Sequence, residues 1–181
     1  MKFIWILLAF ALLSGSAAAE IEKTSLICKS SFCLYWWPKL PELKGWHQDH
    51  DGSYEIGANV LVPDGSTFAN ATTVIYAEAL YKPRAPELTS VSALIESDKK
   101  QFLQGKPDTS IEQSADVITG DGLKLKSFTY FPKKQGDWER VSYGEEGDFY
   151  LIFTVSSRTK EAYKRGVVVY EKLVGNYHKK P

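Results

Sequence analysis

The chain of 181 residues carries 22 basic and 22 acidic side chains, so its formal net charge at neutral pH is zero. This balance argues against the broad basic face that a nucleic-acid backbone requires, and we expect no nucleic-acid partner. The length suits one domain with a single hydrophobic core. Composition therefore excludes one class of partner and leaves the function to the motifs.

The first 19 residues have the three parts of a secretory signal peptide. Lys2 supplies a positive charge, an apolar run covers residues 3–13, and Ala17 and Ala19 precede a cleavage site before Glu20. The apolar run is short for a membrane span and no later run approaches that length, so we expect cleavage and no stable membrane insertion. The alternative is an uncleaved anchor. The prediction is an exported protein, periplasmic or secreted.

The two cysteines, Cys28 and Cys33, lie close together in the first part of the mature chain. An oxidising compartment favours joining them, and chain entropy gives roughly 2 kcal/mol of stabilisation for so short a loop. The alternative is a redox pair. Thiol–disulfide enzymes separate their cysteines by two residues at the start of a helix, whereas four residues intervene here. We predict a structural disulfide.

Residues 20–53 form an aromatic, turn-rich segment that precedes the expected main domain, residues 54–181. Pro38 and Pro41 oppose a helix in this segment. Its large rings include Tyr35, Trp36, Trp37 and Trp46. Such rings usually belong to a core, but if exposed they would form a binding patch, because Trp and Tyr dominate interface energetics. Both alternatives stay open.

The densest group of potential metal ligands consists of His47, Asp49, His50 and Asp51. Imidazole and carboxylate groups suit Zn²⁺ or a similar ion. The remaining histidine, His178, lies near the C-terminus, and the later ligands of a calcium loop are missing. A solvated turn before a strand is the favoured interpretation. We expect no bound metal and no cofactor.

Short motifs indicate neither a reaction nor a defined modification. The mature chain lacks a G-x-S-x-G elbow. The carboxylates of Glu145, Glu146 and Asp148 fall at an expected hairpin tip, where solvation is more typical than acid–base chemistry. Asn70 begins an N-glycosylation pattern that matters only in a eukaryotic secretory route. An enzyme is therefore disfavoured.

Strands and a helix are predicted for the first half of the main domain. Apolar residues alternate over residues 54–62 and stop at Pro63, which predicts a strand entering a turn. Residues 73–81 are rich in β-branched and aromatic side chains and predict a second strand. Helical spacing over residues 90–104, with Ser90 or Thr89 as its N-cap, predicts a helix.

Two hairpins and an amphipathic helix are predicted for the second half. Residues 111–131 form the first hairpin around the turn 120–122, and residues 138–156 form the second around 144–147. A final helix is indicated by a stripe of five residues: Tyr163, Val167, Tyr170, Val174 and Tyr177. Because hairpins pair strands antiparallel, the predicted class is α+β, a mainly antiparallel sheet covered by helices.

The layout over residues 54–177 resembles the α/β sandwich fold of the PsbP and Mog family, extrinsic photosystem and Ran-binding proteins. The likeness lies in the run from Ala58 to Gly65, the mid-chain helix, and the strand–helix unit from Asp148 to Tyr177. The resemblance implies a non-enzymatic binding or assembly role. It transfers no binding residues, because the members share no short motif that could be placed on this chain.

Export and the resemblance together favour a soluble, non-catalytic binding or assembly protein of the cell envelope, and another envelope protein is the expected partner. The alternative is an envelope enzyme or metal-dependent protein centred on the turn that holds His47 and His50.

Overall fold

The computed structural model describes residues 21–28, 31–133 and 136–178. The strands are β1 (Ile21–Cys28), β2 (Ser31–Pro38), β3 (Trp46–Gln48), β4 (Asn59–Pro63), β5 (Thr73–Tyr81), β6 (Thr109–Ile118), β7 (Lys124–Pro132), β8 (Trp138–Glu146) and β9 (Phe149–Ser157). The helices are α1 (His50–Ile56), α2 (Val91–Gly105) and α3 (Lys160–Gly175), with a 3₁₀ turn at Lys82–Arg84.

The described strands form two antiparallel sheets. Seven strands make the main sheet in the order β3-β4-β5-β9-β8-β7-β6, while β1 and β2 make a separate hairpin. The insertion of β9 between β5 and β8 brings the last strand of the chain to the centre of the sheet. The predicted α+β class with a mainly antiparallel sheet is confirmed.

One face of the main sheet, here called the first face, carries the odd-numbered residues of β5 and is covered by α3. Ile75 and Phe153 belong to the core on this face, which they share with Tyr170 and Leu173 of α3. The helix lies unusually close to the strands at Gly166, where an added Cβ would stand 2.7 Å from the Thr73 methyl carbon Cγ2. A glycine is therefore required at that point of the helix.

The opposite side, the second face, carries the even-numbered residues of β5 and is covered only in part. Helix α2 packs Leu94 and Ile95 against a group of aromatic and aliphatic residues on β7, β8 and β9: Tyr130, Val141, Tyr143 and Tyr150. A smaller apolar cluster around Val60 and Val62 lies at the β4 side. Neither α2 nor α3 covers the part of the second face that lies between these two clusters.

The N-terminal hairpin packs against the main domain. Its strand β2 contacts β5 and stacks Trp36 on Tyr81, with ring centroids 5.4 Å apart. The register pairs Cys28 with Ser31 and Cys33 with Leu26, so the cysteines lie on neighbouring strands. The leader and the side chain of Cys28 fall outside the described residues, and both cleavage and the disulfide stay predictions.

The predicted strand over residues 54–62 is wrong in its first half, which is helical. Helix α1 occupies His50–Ile56, and the strand begins only at Asn59. Asp49 caps the helix by accepting a hydrogen bond from the Gly52 amide, and Gly57 ends it in the left-handed conformation with φ 73°. These cap signals outweigh the alternation, because Tyr54 and Ile56 are exposed and not part of a buried strand face.

The predicted elements from residue 73 onward are confirmed, with small changes at their ends, whereas the solvated turn expected around His47 and His50 is wrong, because strand β3 and helix α1 occupy this region. Ser90 caps α2 through the Ala93 amide, and Thr159 caps α3 through the Ala162 amide. Tyr170 and Val174 of the predicted α3 stripe are buried, and Val167 is only partly buried. Leu173 is buried beside them, whereas Tyr177 is buried but lies beyond the end of the helix at Gly175. Among the described residues, no helix combines the length and the apolar character needed to cross a membrane.

Candidate functional site

A cavity of about 440 Å³ opens on the uncovered part of the second face. We call it the acidic cavity. Its floor is formed by β5, β9 and β8, and its walls come from the end of α1 and from the chain between β4 and β5. The carboxylates in its lining are Glu55, Glu78, Asp137 and Glu139. A volume of this size accommodates a small organic molecule.

The floor of the cavity follows from the two-residue period of the strands. Val74, Tyr76 and Glu78 alternate with the buried residues of β5 that face α3, so all three project onto the second face. The register places Ser156 of β9 opposite Val74, and Glu139 of β8 opposite Ser156. Three strands that are distant in sequence therefore contribute side chains to one surface.

Glu78 is a mostly buried carboxyl group that accepts no hydrogen bond from the described part of the chain. Burial raises its pKa from the ordinary 4.5 to about 7, and the negative charge of Asp98 on α2 acts in the same direction. Near neutral pH the group is therefore divided between its protonated and ionised forms. Its carboxyl lies at the cavity surface, available to a molecule that enters.

Glu139 is more deeply buried, with 8% of its surface exposed. Its Oε1 accepts a hydrogen bond of 3.4 Å from the Ser156 hydroxyl and lies 3.9 Å from the Lys106 Nζ. Burial raises its pKa to about 7 in spite of the attraction of Lys106. Within the described residues, its Oε2 accepts no hydrogen bond. This oxygen is not one of the fully buried atoms without a partner, so it is open to the cavity, where water or a ligand can reach it.

The two glutamates are too far apart to form an acid–base pair. Glu139 lies opposite Ser156, which lies opposite Val74, four positions before Glu78 on the same strand. Strand spacing and residue rise then separate the two Cα atoms by about 10 Å across the sheet and about 13 Å along it. Neither carboxylate is among the causes of the other's pKa shift.

A network of phenols and a carboxylate adjoins the cavity beneath α2. The Tyr143 hydroxyl donates a hydrogen bond to Asp98, and the Tyr130 hydroxyl lies 3.0 Å from that of Tyr143. Burial raises the pKa of Asp98, and the bond from Tyr143 opposes this shift. The pKa of Tyr143 itself lies far above its usual range because of burial and the nearby carboxylate. Both phenols therefore stay protonated.

Positive charge near the cavity is limited. Arg158 belongs to the lining, but its Nη2 donates a 2.6 Å hydrogen bond to the carbonyl oxygen of Ala69. Lys106 approaches from the end of α2 and lies 3.8 Å from Asp137. No other basic side chain of the described chain lines the cavity. Its surface therefore has an excess of carboxylates.

The predicted metal ligands are not arranged as a metal site. Asp49 uses Oδ1 to accept from the Gly52 amide at 3.0 Å and Oδ2 to accept from the Phe68 amide at 2.6 Å. These amides hold the pKa of Asp49 below its ordinary value. His47 faces Asp64 at 3.5 Å, and the side chains of His50 and Asp51 are exposed on α1. Across residues 21–28, 31–133 and 136–178 no three such groups are placed to hold a metal ion.

The four aromatic residues proposed as a binding patch in the N-terminal segment are buried or partly buried. Trp37 is 3% exposed, and its indole N–H donates to the carbonyl oxygen of Gly57 at 2.9 Å. Trp36 and Trp46 are partly buried and pack against the core of the first face. Tyr35 is also partly buried, with its ring against Gly57. Trp37 is thus inaccessible to a partner.

The sequence patterns did not predict the acidic cavity. A signal was present, since Glu78 interrupts the apolar strand β5 at a position that shares a face with Tyr76. The involvement of Glu139 could not be derived in the same way, because it depends on the pairing of β8 with β9. Comparison of the chain with protein-family models and with curated proteins gives no match.

Proposed function

We propose that this chain is an exported, non-catalytic binding protein whose ligand occupies the acidic cavity. The observation that carries the proposal is the pair of carboxyl groups, Glu78 and Glu139, that line the cavity without a full set of donors from the residues that the structure describes. Burying a carboxylate that lacks hydrogen bonds destabilises the folded state. A ligand that supplies the missing donors compensates this destabilisation.

The chemistry of the lining supports binding more than catalysis. The two glutamates are separated by an intervening strand, so they are too far apart to act as acid and base on the same bond of a substrate. The histidines His47, His50 and His178 all lie outside the lining. The hydroxyl of Ser157 is engaged with Thr73 at 2.8 Å and is not activated by a base.

A sandwich of the PsbP and Mog kind is the finer fold assignment that we propose. It is supported by the antiparallel sheet with α2 and α3 on opposite faces, and by the helix that follows the last strand. Export rests on the leader sequence, and an envelope protein stays a candidate for the partner that delivers or receives the ligand. Fold likeness by itself assigns no ligand.

Native mass spectrometry of the full chain, expressed with its leader and recovered from the envelope, tests the proposal. We expect a small-molecule adduct on the wild-type protein and its loss in Val74→Trp, because the indole fills the cavity floor. The matched control is Val168→Trp on the exposed side of α3. A wild-type protein without an adduct, together with a small-molecule thermal-shift screen in which Val74→Trp changes no response, contradicts the proposal.

A further inference from the structure

The charges and shape of the acidic cavity define the class of ligand that it fits. We infer that the cavity binds a compact organic cation, an amine or quaternary ammonium compound with an apolar body, an inference that rests on the proposed function above.

The charge balance of the lining is negative. The lining contains four carboxylates and one guanidinium, that of Arg158, which donates a hydrogen bond to a backbone carbonyl. Lys106 lies near Asp137 and Glu139 at 3.8 and 3.9 Å, so it neutralises that end of the cavity only in part. Glu55 and Glu78 form no ion pair with any basic side chain that the structure describes. The part of the cavity that contains Glu55 and Glu78 would therefore repel an anion and attract a cation.

The acceptor atoms at the cavity surface call for a donor. Glu139 is more than nine-tenths buried, yet its Oε2 accepts nothing from the described protein. The Glu78 carboxyl, on β5 opposite Ile152, likewise accepts no hydrogen bond from the described residues. An ammonium group brings up to three N–H donors and a positive charge, which are the properties that an ionised carboxylate with a free acceptor requires.

Aromatic and apolar groups complete the complementarity. The rings of Phe68 and Tyr76 line the cavity together with the acids, and aromatic faces attract cations. Ile56, Ala71 and Val74 add an apolar surface for the body of the ligand. A bare metal ion would leave this surface and most of the 440 Å³ unused. An organic cation uses all three features.

Isothermal titration calorimetry with three probes of similar shape tests the inference. The probes are 2-phenylethylammonium, the neutral 2-phenylethanol and the anionic 3-phenylpropionate, each titrated into the full mature chain at pH 8, where both glutamates are predominantly ionised. We expect the cation to bind at least tenfold more tightly than the alcohol, and the anion to bind more weakly than either.

Variants connect the binding to the named carboxylates. Glu139→Gln should weaken binding of the cation by about tenfold, because it removes the charge-assisted contact to the ammonium group. Glu78→Gln should weaken binding by a smaller factor, because it removes one negative charge of the lining without removing that contact. Glu112→Gln is the matched control, because Glu112 is exposed on β6 outside the cavity and should bind as the wild type does. Thermal melts of all variants establish that they are folded.

The other outcomes separate the ligand class from the binding function. Equal affinity for the alcohol and the cation, with both lost in Val74→Trp, overturns the cation class while the cavity remains the binding site. No binding of the cation at millimolar concentration, or binding that neither glutamate variant weakens, also overturns the cation class. The proposed binding function fails separately, by the absence of an adduct and of any cavity-dependent response.

Discussion

Tyr143 donates its phenolic hydrogen to the carboxylate of Asp98, and this bond joins the middle of α2 to the centre of the sheet. Asp98 has a second influence, since its charge raises the pKa of both Glu78 and Glu139. One helix residue therefore anchors α2 and adds to the effect of burial, which is the main cause of the raised pKa of both carboxyls. The hydroxyl of Tyr130, 3.0 Å from that of Tyr143, extends the network to β7.

Tyr143→Phe should destabilise the protein by about 1 to 3 kcal/mol, because it leaves the carboxylate of Asp98 mostly buried without its donor. Urea denaturation at pH 7 measures this change in the free energy of unfolding. The matched control is Tyr130→Phe, which removes a bond between neutral hydroxyls and leaves the Tyr143–Asp98 bond in place. A larger loss in Tyr130→Phe than in Tyr143→Phe would contradict the assigned order of donors.

Glu78→Gln should stabilise the protein, and increasingly so as the pH rises. Burial and the charge of Asp98 raise the folded-state pKa of Glu78 from 4.5 to about 7. The other titratable groups that face Glu78 across the cavity include Tyr76 on the same strand and Glu55 on α1. Between these two pH values the folded state holds a proton that the unfolded state has lost. The contribution of Glu78 to stability is therefore greatest below pH 4.5 and is lost as the pH rises to about 7.

Urea melts of wild type and Glu78→Gln at pH 5 and pH 8 measure this linkage. We expect the stability advantage of the variant to grow by about 2 kcal/mol between these pH values. Glu112→Gln, whose carboxyl is exposed, controls for the removal of one negative charge. A stability advantage that is the same at both pH values would show that the pKa of Glu78 is not raised in the folded state.

Local sequence signals predicted an element correctly where the residues that form the signal all lie within or beside that element. Ser90 and Thr159 are N-caps that can be recognised within a few residues of their helices. The strand predicted from residue 54 was wrong because two signals competed, and the cap of Asp49 with the left-handed Gly57 prevailed over a short alternation. Capping residues form hydrogen bonds to the free backbone groups at a helix end, whereas alternating apolar residues stabilise a strand only if their face of the strand is buried by other elements.

The acidic cavity could not be predicted because its members are brought together by pairings of distant strands. Glu78 and Glu139 lie on β5 and β8, and their relation depends on the register of β9 with both strands. The raised pKa of each carboxyl likewise comes from burial under elements far away in sequence. Sequence shows which residues carry charge, while the pairing of strands decides which charges are buried.

The exported protein should start at Glu20 and contain a Cys28–Cys33 disulfide. The leader ends in a small-residue cleavage motif, and the hairpin register places the cysteines on neighbouring strands. Intact mass spectrometry with and without reduction and alkylation measures both features. Retention of the leader would contradict the first, and full alkylation of both thiols in unreduced, exported protein would contradict the second.

Glu171→Ala should destabilise the protein by about 2 to 4 kcal/mol, although half of this side chain is exposed. Its Oε1 lies 2.6 Å from the Nη1 of Arg140, whose side chain is only 7% exposed. Removal of the carboxylate leaves a buried guanidinium whose one remaining hydrogen bond within the described part of the chain is to the carbonyl oxygen of Ala115. Lys172→Ala, at the next exposed position of α3, should change stability by about 0.5 kcal/mol or less in the same urea melts.

Gly166→Ala should destabilise the protein by about 1 to 3 kcal/mol, although alanine is the better helix former. The new Cβ would lie 2.7 Å from the Thr73 Cγ2 and 3.2 Å from the Val155 Cγ2. Thr73 cannot turn its methyl away freely, because its hydroxyl is bonded to that of Ser157 at 2.8 Å. The contact therefore forces α3 away from the first face.

Two further variants identify the cause of this loss in denaturant melts. Gly175→Ala, at the end of the same helix, meets no atom within 4 Å and should be neutral or slightly stabilising. Thr73→Ser removes the methyl group but keeps the hydroxyl, so the double variant with Gly166→Ala should regain much of the lost stability. If Thr73→Ser gives no recovery beyond its effect alone, the two residues are not in contact, and α3 does not approach the sheet as closely as the Gly166 position indicates.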